Sequence, residues 1–227
     1  MHRELLKRGF QCSRNTVAKY MRKAGIQANR RTKFRISTTD SNHNEPIANN
    51  LLEQKFSAET IDQVWLTDIT YIPTKEGFSY LCVFIDLHSR KVVGWKTSRN
   101  IDSELVVSAL TQALVLRSPE AGLIVHSDRG SQYASEHFRS RLTAHGLIQS
   151  MSRRGNCYDN APMESFFKSY KTEEAQQIYD THEQATRGVS DYIECFYNPL
   201  RLHSSLGYQS PIDFEQAVKK PLLVGES

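Results

Sequence analysis

The stretch VWLTDITYIPTKEGFSYLCVFIDLHSRKVVGWKT, Val64 to Thr97, contains three extended runs separated by two turns. Val64 to Ile72 is rich in β-branched and aromatic residues and predicts a strand. Phe78 to Leu87 is almost continuously apolar, the pattern of a central strand buried on both faces. Lys91 to Thr97 gives a third strand, with turns at Lys75–Gly77 and His88–Ser89. Downstream, Ser103 to Leu116 has helical periodicity, with Leu105, Val106, Ala109, Leu110 and Ala113 on one side. Gly122 to Ser127 predicts a fourth strand, and Ser135 to His145 a helix stopped by Gly146. Leu147 to Met151 predicts a short fifth strand, and Ala161 onward and His182 to Tyr197 predict further helices. The order of elements implies an α/β fold, a five-stranded mixed sheet flanked by helices.

Upstream the chain changes character. Residues 1–36 hold eleven Lys/Arg against one acid, Glu4, whereas the remainder holds eighteen against twenty-four. A basic head on a mildly acidic body suits a nucleic-acid-binding arm on a domain of another purpose. Two short helices are expected in the head, the first closing at Gly9 and the second capped by Ser13 and ended by Gly25. Val17, Tyr20, Met21 and Ala24 form the apolar side of the second helix. Arg14, Asn15, Lys19, Arg22 and Lys23 form the other, the side-chain types that read a DNA major groove from a helix-turn-helix. A solvated basic face is the alternative. Arg30, Arg31, Lys33 and Arg35 extend the positive patch.

Residues 36–58 are polar and aperiodic and read as a linker. The expected organisation is therefore a head at 1–35, a linker at 36–58, a core with a C-terminal helical segment at 59–217, and a tail at 218–227. The four cysteines are scattered and show no zinc spacing or disulfide framework. No signal peptide is visible, and the longest apolar run, Tyr80 to Ile85, is far too short to span a bilayer. A soluble protein of a reducing compartment is expected.

Three carboxylates are placed where rigid structure can hold them. Asp68 lies mid-strand on the side of Val64 and Leu66, where an acid is costly unless it is paired or binds metal. A hydrogen-bonded strand-end acid is the alternative. Asp128 follows the strand GLIVHS and opens the loop Arg129–Tyr133, at a strand C-terminus where α/β proteins gather functional groups. It could instead form a simple Asx-turn. Glu164 lies in the first turn of a helix marked by Asn160 and Pro162, where it could only complement the helix dipole. It shares its face, however, with Lys168 and Lys171, while Met163, Phe166, Phe167 and Tyr170 take the buried side. Arg153 and Arg154 stand just upstream. Thirty-five residues separate Asp128 from Glu164. An Asp–Asp–Glu trio suits a pair of divalent cations acting on phosphate.

The blocks WLTDITYIPT, FSYLCVFIDLHSRKVVGW, VHSDRGSQYAS, SRRGNCYDNAPMESFFKSYK and YNPLRLHSSLGYQSP resemble the successive blocks of bacterial insertion-sequence transposases of the third family. They are similar to the product of that family's second reading frame, with a retroviral-integrase-like core. The likeness runs from about Leu52 to about Phe214. It implies a ribonuclease-H-like fold and a metal-dependent polynucleotidyl transferase. Asp68, Asp128 and Glu164 match the catalytic and metal-binding triad. The cofactor is then Mg²⁺, two ions per site, with Mn²⁺ as a substitute. Lys171 matches a basic position that contacts transposon-end DNA. His126, Asn160, Arg201 and His203 fall in matching blocks without an assigned role. The implied partners are double-stranded DNA at the transposon ends and target, further copies of the chain in a synaptic complex, and the upstream-reading-frame protein. Cytoplasmic action at the nucleoid, with no membrane, follows.

Related chains carry residues upstream of the position of Met1. One product of a frameshifted pair, a truncated copy and a misassigned start are all expectations for this chain. Cleavage and strand transfer would use one site with different nucleophiles, and neither Ser127, Tyr133 nor Cys157 is assigned as a nucleophile. The competing functions are a ribonuclease-H-like nuclease that only hydrolyses and a decayed, non-catalytic DNA-binding repressor.

Overall fold

The run of side chains alternating between two faces over Val64–Asp86 builds the first hairpin of the protein. A computed structural model describes residues 1–26, 43, 45–153, 157–174 and 178–219. The chain divides into two units, Met1–Phe34 and Arg35–Ser227.

In the first unit α1 spans His2–Lys7 and α2 spans Arg14–Lys23. The Ser13 hydroxyl caps α2 by accepting the Thr16 N–H at 3.1 Å. Within α2 only Val17 is buried, and Tyr20 is 64% exposed. The expected apolar side is thus largely uncovered, because two helices this short offer too little surface to bury four residues. Arg30, Arg31, Lys33 and Arg35 lie outside the described residues.

In the second unit β1 (Val64–Thr74), β2 (Gly77–Asp86) and β3 (Val92–Ser98) form an antiparallel meander. Helix α3 (Ser103–Arg117) crosses over to β4 (Ile124–Ser127), which lies parallel to β1. Two further helices, α4 (Ser131–Ala134) and α5 (Glu136–Ala144), lead to β5 (Ile148–Met151), parallel to β4. The sheet order is β3-β2-β1-β4-β5. The expected mixed five-stranded sheet is therefore present. Residues Arg129–Tyr133, expected as a loop, instead enter α4 at Ser131, a single turn too short to show a helical period.

Strand alternation gives the sheet two covered faces. Trp65, Ile69, Cys82, Phe84 and Val93 pack with α3, Phe138 and Leu142 on one. Leu66, Ile72, Leu81, Val83 and Ile85 pack on the other against α6 (Ala161–Glu173) and α7 (His182–Ser190). The expected helix His182–Tyr197 changes pitch after α7 and ends in a wider turn over Asp191–Tyr197. Gly94 sets how close α3 sits: a Cβ there would lie 2.5 Å from the Ala109 carbonyl oxygen and 2.7 Å from the Ala113 Cβ. Helix α8 (Pro211–Lys219) closes the unit. Its buried Glu215 accepts from Arg117 at 2.8 Å and Ser89 at 2.8 Å.

Residues 46–58 form no helix or strand but are tied to the core. Leu52 is buried, the Leu51 N–H donates to the Ser150 hydroxyl at 2.9 Å, and the Met151 N–H donates to the Asn49 carbonyl at 3.2 Å.

Candidate functional site

Asp68 sits in the middle of β1, paired with Val83 of β2, on the sheet face that carries Leu66 and meets α6. One carboxylate oxygen accepts the Ile69 N–H at 2.7 Å. Burial pushes its pKa well above the ordinary carboxylate range; the negative charges of Asp128 and Glu164 push the same way, and Lys171 opposes them.

Asp128 follows the last residue of β4. Because β4 runs parallel to β1, with His126 opposite Leu66, the β4 end emerges level with Asp68. An Asp128 oxygen accepts the Gly130 N–H at 2.9 Å, so the Asx-turn is present. Beneath the two aspartates the Thr67 hydroxyl meets the Tyr133 hydroxyl at 3.0 Å, and both approach the Cys82 sulfur. Burial raises the Cys82 thiol to about 12 and holds the Tyr133 phenol above its ordinary value. Neither is a nucleophile at neutral pH. The Ser127 hydroxyl is also engaged, donating to the Asp128 carbonyl at 2.9 Å. The Cys157 side chain lies outside what the structure describes.

Glu164 lies in the first turn of α6, exposed, while Met163, Phe166, Phe167 and Tyr170 bury the opposite side as their spacing predicts. Lys168 is exposed, and the Lys171 ammonium stands 4.3 Å from the Tyr71 ring centroid. The Asn160 amide donates to the Thr67 carbonyl at 3.3 Å, which fastens the start of α6 to the residue before Asp68. Among the described residues no three His, Cys, Asp or Glu side chains are grouped closely enough to hold a metal ion. Asp128 and Glu164 act on Asp68 electrostatically.

Residues 59–157 match the family described as Integrase core domain, and residues 164–218 match a second family of that description. Residues 1–34 match an HTH-like domain. The transposase InsF of insertion sequence IS3A from Escherichia coli (strain K12) is 43% identical over 213 residues, covering 93% of this chain and 74% of the relative. An uncharacterised 31 kDa protein of insertion element IS600 from Shigella sonnei is 42% identical, covering 94% and 78%. The chain belongs to the IS3 family of insertion-sequence transposases. It is therefore an enzyme of the polynucleotidyl transferase type with an HTH-like DNA-binding domain. The catalytic core of HTLV-2 integrase, solved in complex with magnesium, superposes with a TM-score of 0.51 at 16% identity, covering 70% of this chain and 99% of that one. A simian T-cell lymphotropic virus intasome chain gives 0.56 at 15% identity, covering 89% and 65%. Both carry the ribonuclease-H-like fold of integrases, which this transposase shares.

The other basic residues of the transposase differ in setting. Arg14, Asn15, Lys19, Arg22 and Lys23 are all exposed on α2. Arg153, expected on DNA, also pairs with Asp159, donating through Nε at 3.0 Å and through a terminal nitrogen at 2.9 Å. The pair joins a buried carboxylate to a side chain that is more than half exposed. Arg154 lies outside the described residues.

Asp159 had no place in the sequence argument. Its carboxylate also accepts from Asn50 at 3.0 Å, Gln54 at 3.0 Å and the Arg153 N–H at 2.8 Å. The Arg153 guanidinium is the main cause holding its pKa far below the usual carboxylate value. The Asp159 carbonyl meets His126 Nε2 at 2.8 Å, and His126 Nδ1 meets the Ser150 hydroxyl at 2.8 Å. His126 is fully buried, and burial lowers its basicity. These groups fix the approach to α6 and thus the position of Glu164. The Arg201 guanidinium engages Glu173 at 2.9 Å and Ser169 at 3.0 Å, while His203 packs edge-on against Tyr197.

Proposed function

We propose that the transposase cleaves DNA at transposon ends and joins the freed 3′ ends to target DNA, with Asp68, Asp128 and Glu164 as catalytic residues and ligands of divalent metal. The observation that supports this is placement: Asp68 stands mid-strand in β1, the parallel β4 ends level with it at Asp128, Glu164 lies in the first turn of α6, and burial together with the Asp128 and Glu164 charges raises the Asp68 pKa. The donors are hard oxygens and suit Mg²⁺, with Mn²⁺ as a substitute, and the HTLV-2 core that shares the fold was solved with magnesium. Two such ions supply activation of a water or DNA 3′-hydroxyl and stabilisation of the departing 3′-oxygen.

The protein's own groups arrange the phosphate. Asp68 and Asp128 hold the floor of the site on the sheet, and Glu164 closes it from exposed α6. Lys168 and Lys171 lie one and two helical turns beyond Glu164 on the same flank and offset the charge of the DNA backbone. The α2 residues Arg14, Asn15, Lys19, Arg22 and Lys23 bind duplex DNA from the first unit. No described helix is long and apolar enough to cross a membrane. Action in the cytoplasm on nucleoid DNA, a homo-oligomer pairing two ends, and the upstream-reading-frame protein as a further partner belong to the same proposal.

The test is a cleavage and joining assay on labelled duplex carrying the element's ends, with Mg²⁺, with EDTA, and with Glu164→Gln. Metal-dependent nicking and joining lost in Glu164→Gln supports the proposal. Nicking without joining refutes strand transfer and leaves a nuclease. DNA binding with neither step identifies a repressor.

A further inference from the structure

Beside the Glu164 flank of α6 lies a cleft of about 660 Å³, bordered by Ser165 and Ser169 of that helix and by Arg201, His203 and Tyr208. Arg90 enters it from the turn between β2 and β3. The backbone holds Arg90 there: its φ is +60°, its N–H donates to the Asp86 carbonyl at 2.9 Å, and its carbonyl accepts the Tyr197 hydroxyl at 3.1 Å.

The two arginines of the cleft differ in one respect. Arg201 is satisfied by Glu173 and Ser169. The guanidinium of Arg90 is half-buried, yet among the described residues it has no hydrogen-bond or ion-pair partner. Asp86 acts on it only through space, because the Asp86 oxygens are taken by Ser89 and the Asp62 N–H. A half-buried cation without an acceptor is costly, and burial lowers its basicity accordingly. An anion entering the cleft would relieve that cost. The serine hydroxyls and the N-terminal end of α6 suit the same ligand, because both favour a tetrahedral oxyanion.

We propose that this cleft seats a backbone phosphodiester of the bound DNA, with Arg90 as its cation. The proposal rests on the polynucleotidyl-transferase activity only in taking DNA as the ligand; it requires neither metal nor the three carboxylates.

The experiment measures binding of a fluorescein-labelled duplex of arbitrary sequence to the full chain carrying Glu164→Gln, without divalent metal, across a range of monovalent salt. Removing one phosphate contact with Arg90→Gln should weaken binding about eightfold at about 0.1 M salt and lower the log–log salt slope by about 0.9. Arg90→Lys should keep the slope. Ser165→Asp, an exposed substitution that puts a carboxylate into the cleft, should weaken binding with Arg90 intact, and it decides the matter if Arg90→Gln melts early. Unchanged affinity and slope in Arg90→Gln and Ser165→Asp overturn the proposal. Loss of self-association in Arg90→Gln with an unchanged slope also overturns it, because the occupant is then a second copy of the chain. Failure of metal-dependent cleavage with these slopes as predicted would count against the carboxylate triad alone.

Discussion

Asp159→Asn is the sharpest test of what holds the candidate site together. The substitution keeps the volume of a fully buried side chain and removes its charge and one acceptor oxygen. In the wild type, one carboxylate oxygen takes donors from Asn50, the Arg153 backbone and Arg153 Nε, and the other takes Gln54 and an Arg153 terminal nitrogen. An asparagine that keeps the first set turns its own NH₂ toward the second, so two donors face a donor. The Arg153 side chain is 55% exposed, so the ion pair itself contributes no more than about 1 kcal/mol. The buried donor mismatch costs about 1–2 kcal/mol more. A total of about 2 kcal/mol corresponds to a Tm lower by roughly 4–8 °C for a domain of this size. The effect depends on pH. The Asp159 pKa is held below its unfolded value, so its stabilisation is complete above about pH 4 and is lost as pH falls through the folded value. The wild-type advantage in urea denaturation should therefore vanish in strong acid. Well below the melting temperature, metal-dependent cleavage should fall further than the stability loss explains, because the approach to Glu164 is loosened. A stability change under about 0.5 kcal/mol at pH 7 with full cleavage would refute the reasoning.

Four further outcomes follow from the geometry. Without metal, Asp68→Asn should raise Tm at pH 7, because it removes the cost of burying a carboxylate and the repulsion from Asp128 and Glu164, and it should abolish any Tm gain on adding Mg²⁺ in differential scanning fluorimetry. Gly94→Ala should destabilise by about 3 kcal/mol or more in urea denaturation, because its Cβ would meet the backbone of α3 at 2.5 Å. His203 is held neutral, its basicity lowered to about 4 by burial and by Arg201 and Arg90. The unfolded chain takes up that proton first, near pH 6.5, so stability should fall from about pH 6.5 to about pH 4 by at most about 3 kcal/mol. His203→Gln should flatten that dependence in pH-resolved thermal melts. Lys171→Met should lower the salt slope of DNA binding by about 0.9, read from binding isotherms across monovalent salt.

The features that could be read from sequence were those governed by local period. The β-rich run Val64–Ile72 and the continuous apolar run Phe78–Leu87 gave two strands, alternation gave the face on which Asp68 stands, and helical spacing over Met163–Tyr170 gave the buried side of α6. The Asp159 constellation obeys no such period. Its partners Asn50 and Gln54 are more than a hundred residues away in sequence. Glu215 likewise meets Arg117 from a distant part of the chain. Residues 46–58 read as a linker because they enter the core through backbone and amide hydrogen bonds, which polar composition conceals. The half-buried setting of Arg90 depends on the turn that presents it and on Tyr197, which arrives from the far end of the core.

The order of strands also sets a timetable for synthesis. The meander β1–β3 pairs neighbours in sequence and can form as soon as it leaves the ribosome, with Asp68 already in place. The β4 crossover brings Asp128 only after α3 has been made, and Glu164 waits for the start of α6. At about 5–20 residues per second, the interval between the first and last carboxylates is on the order of 5–20 s. On the proposed triad, the growing chain lacks its third carboxylate through that interval and would not cut DNA until Glu164 has been made.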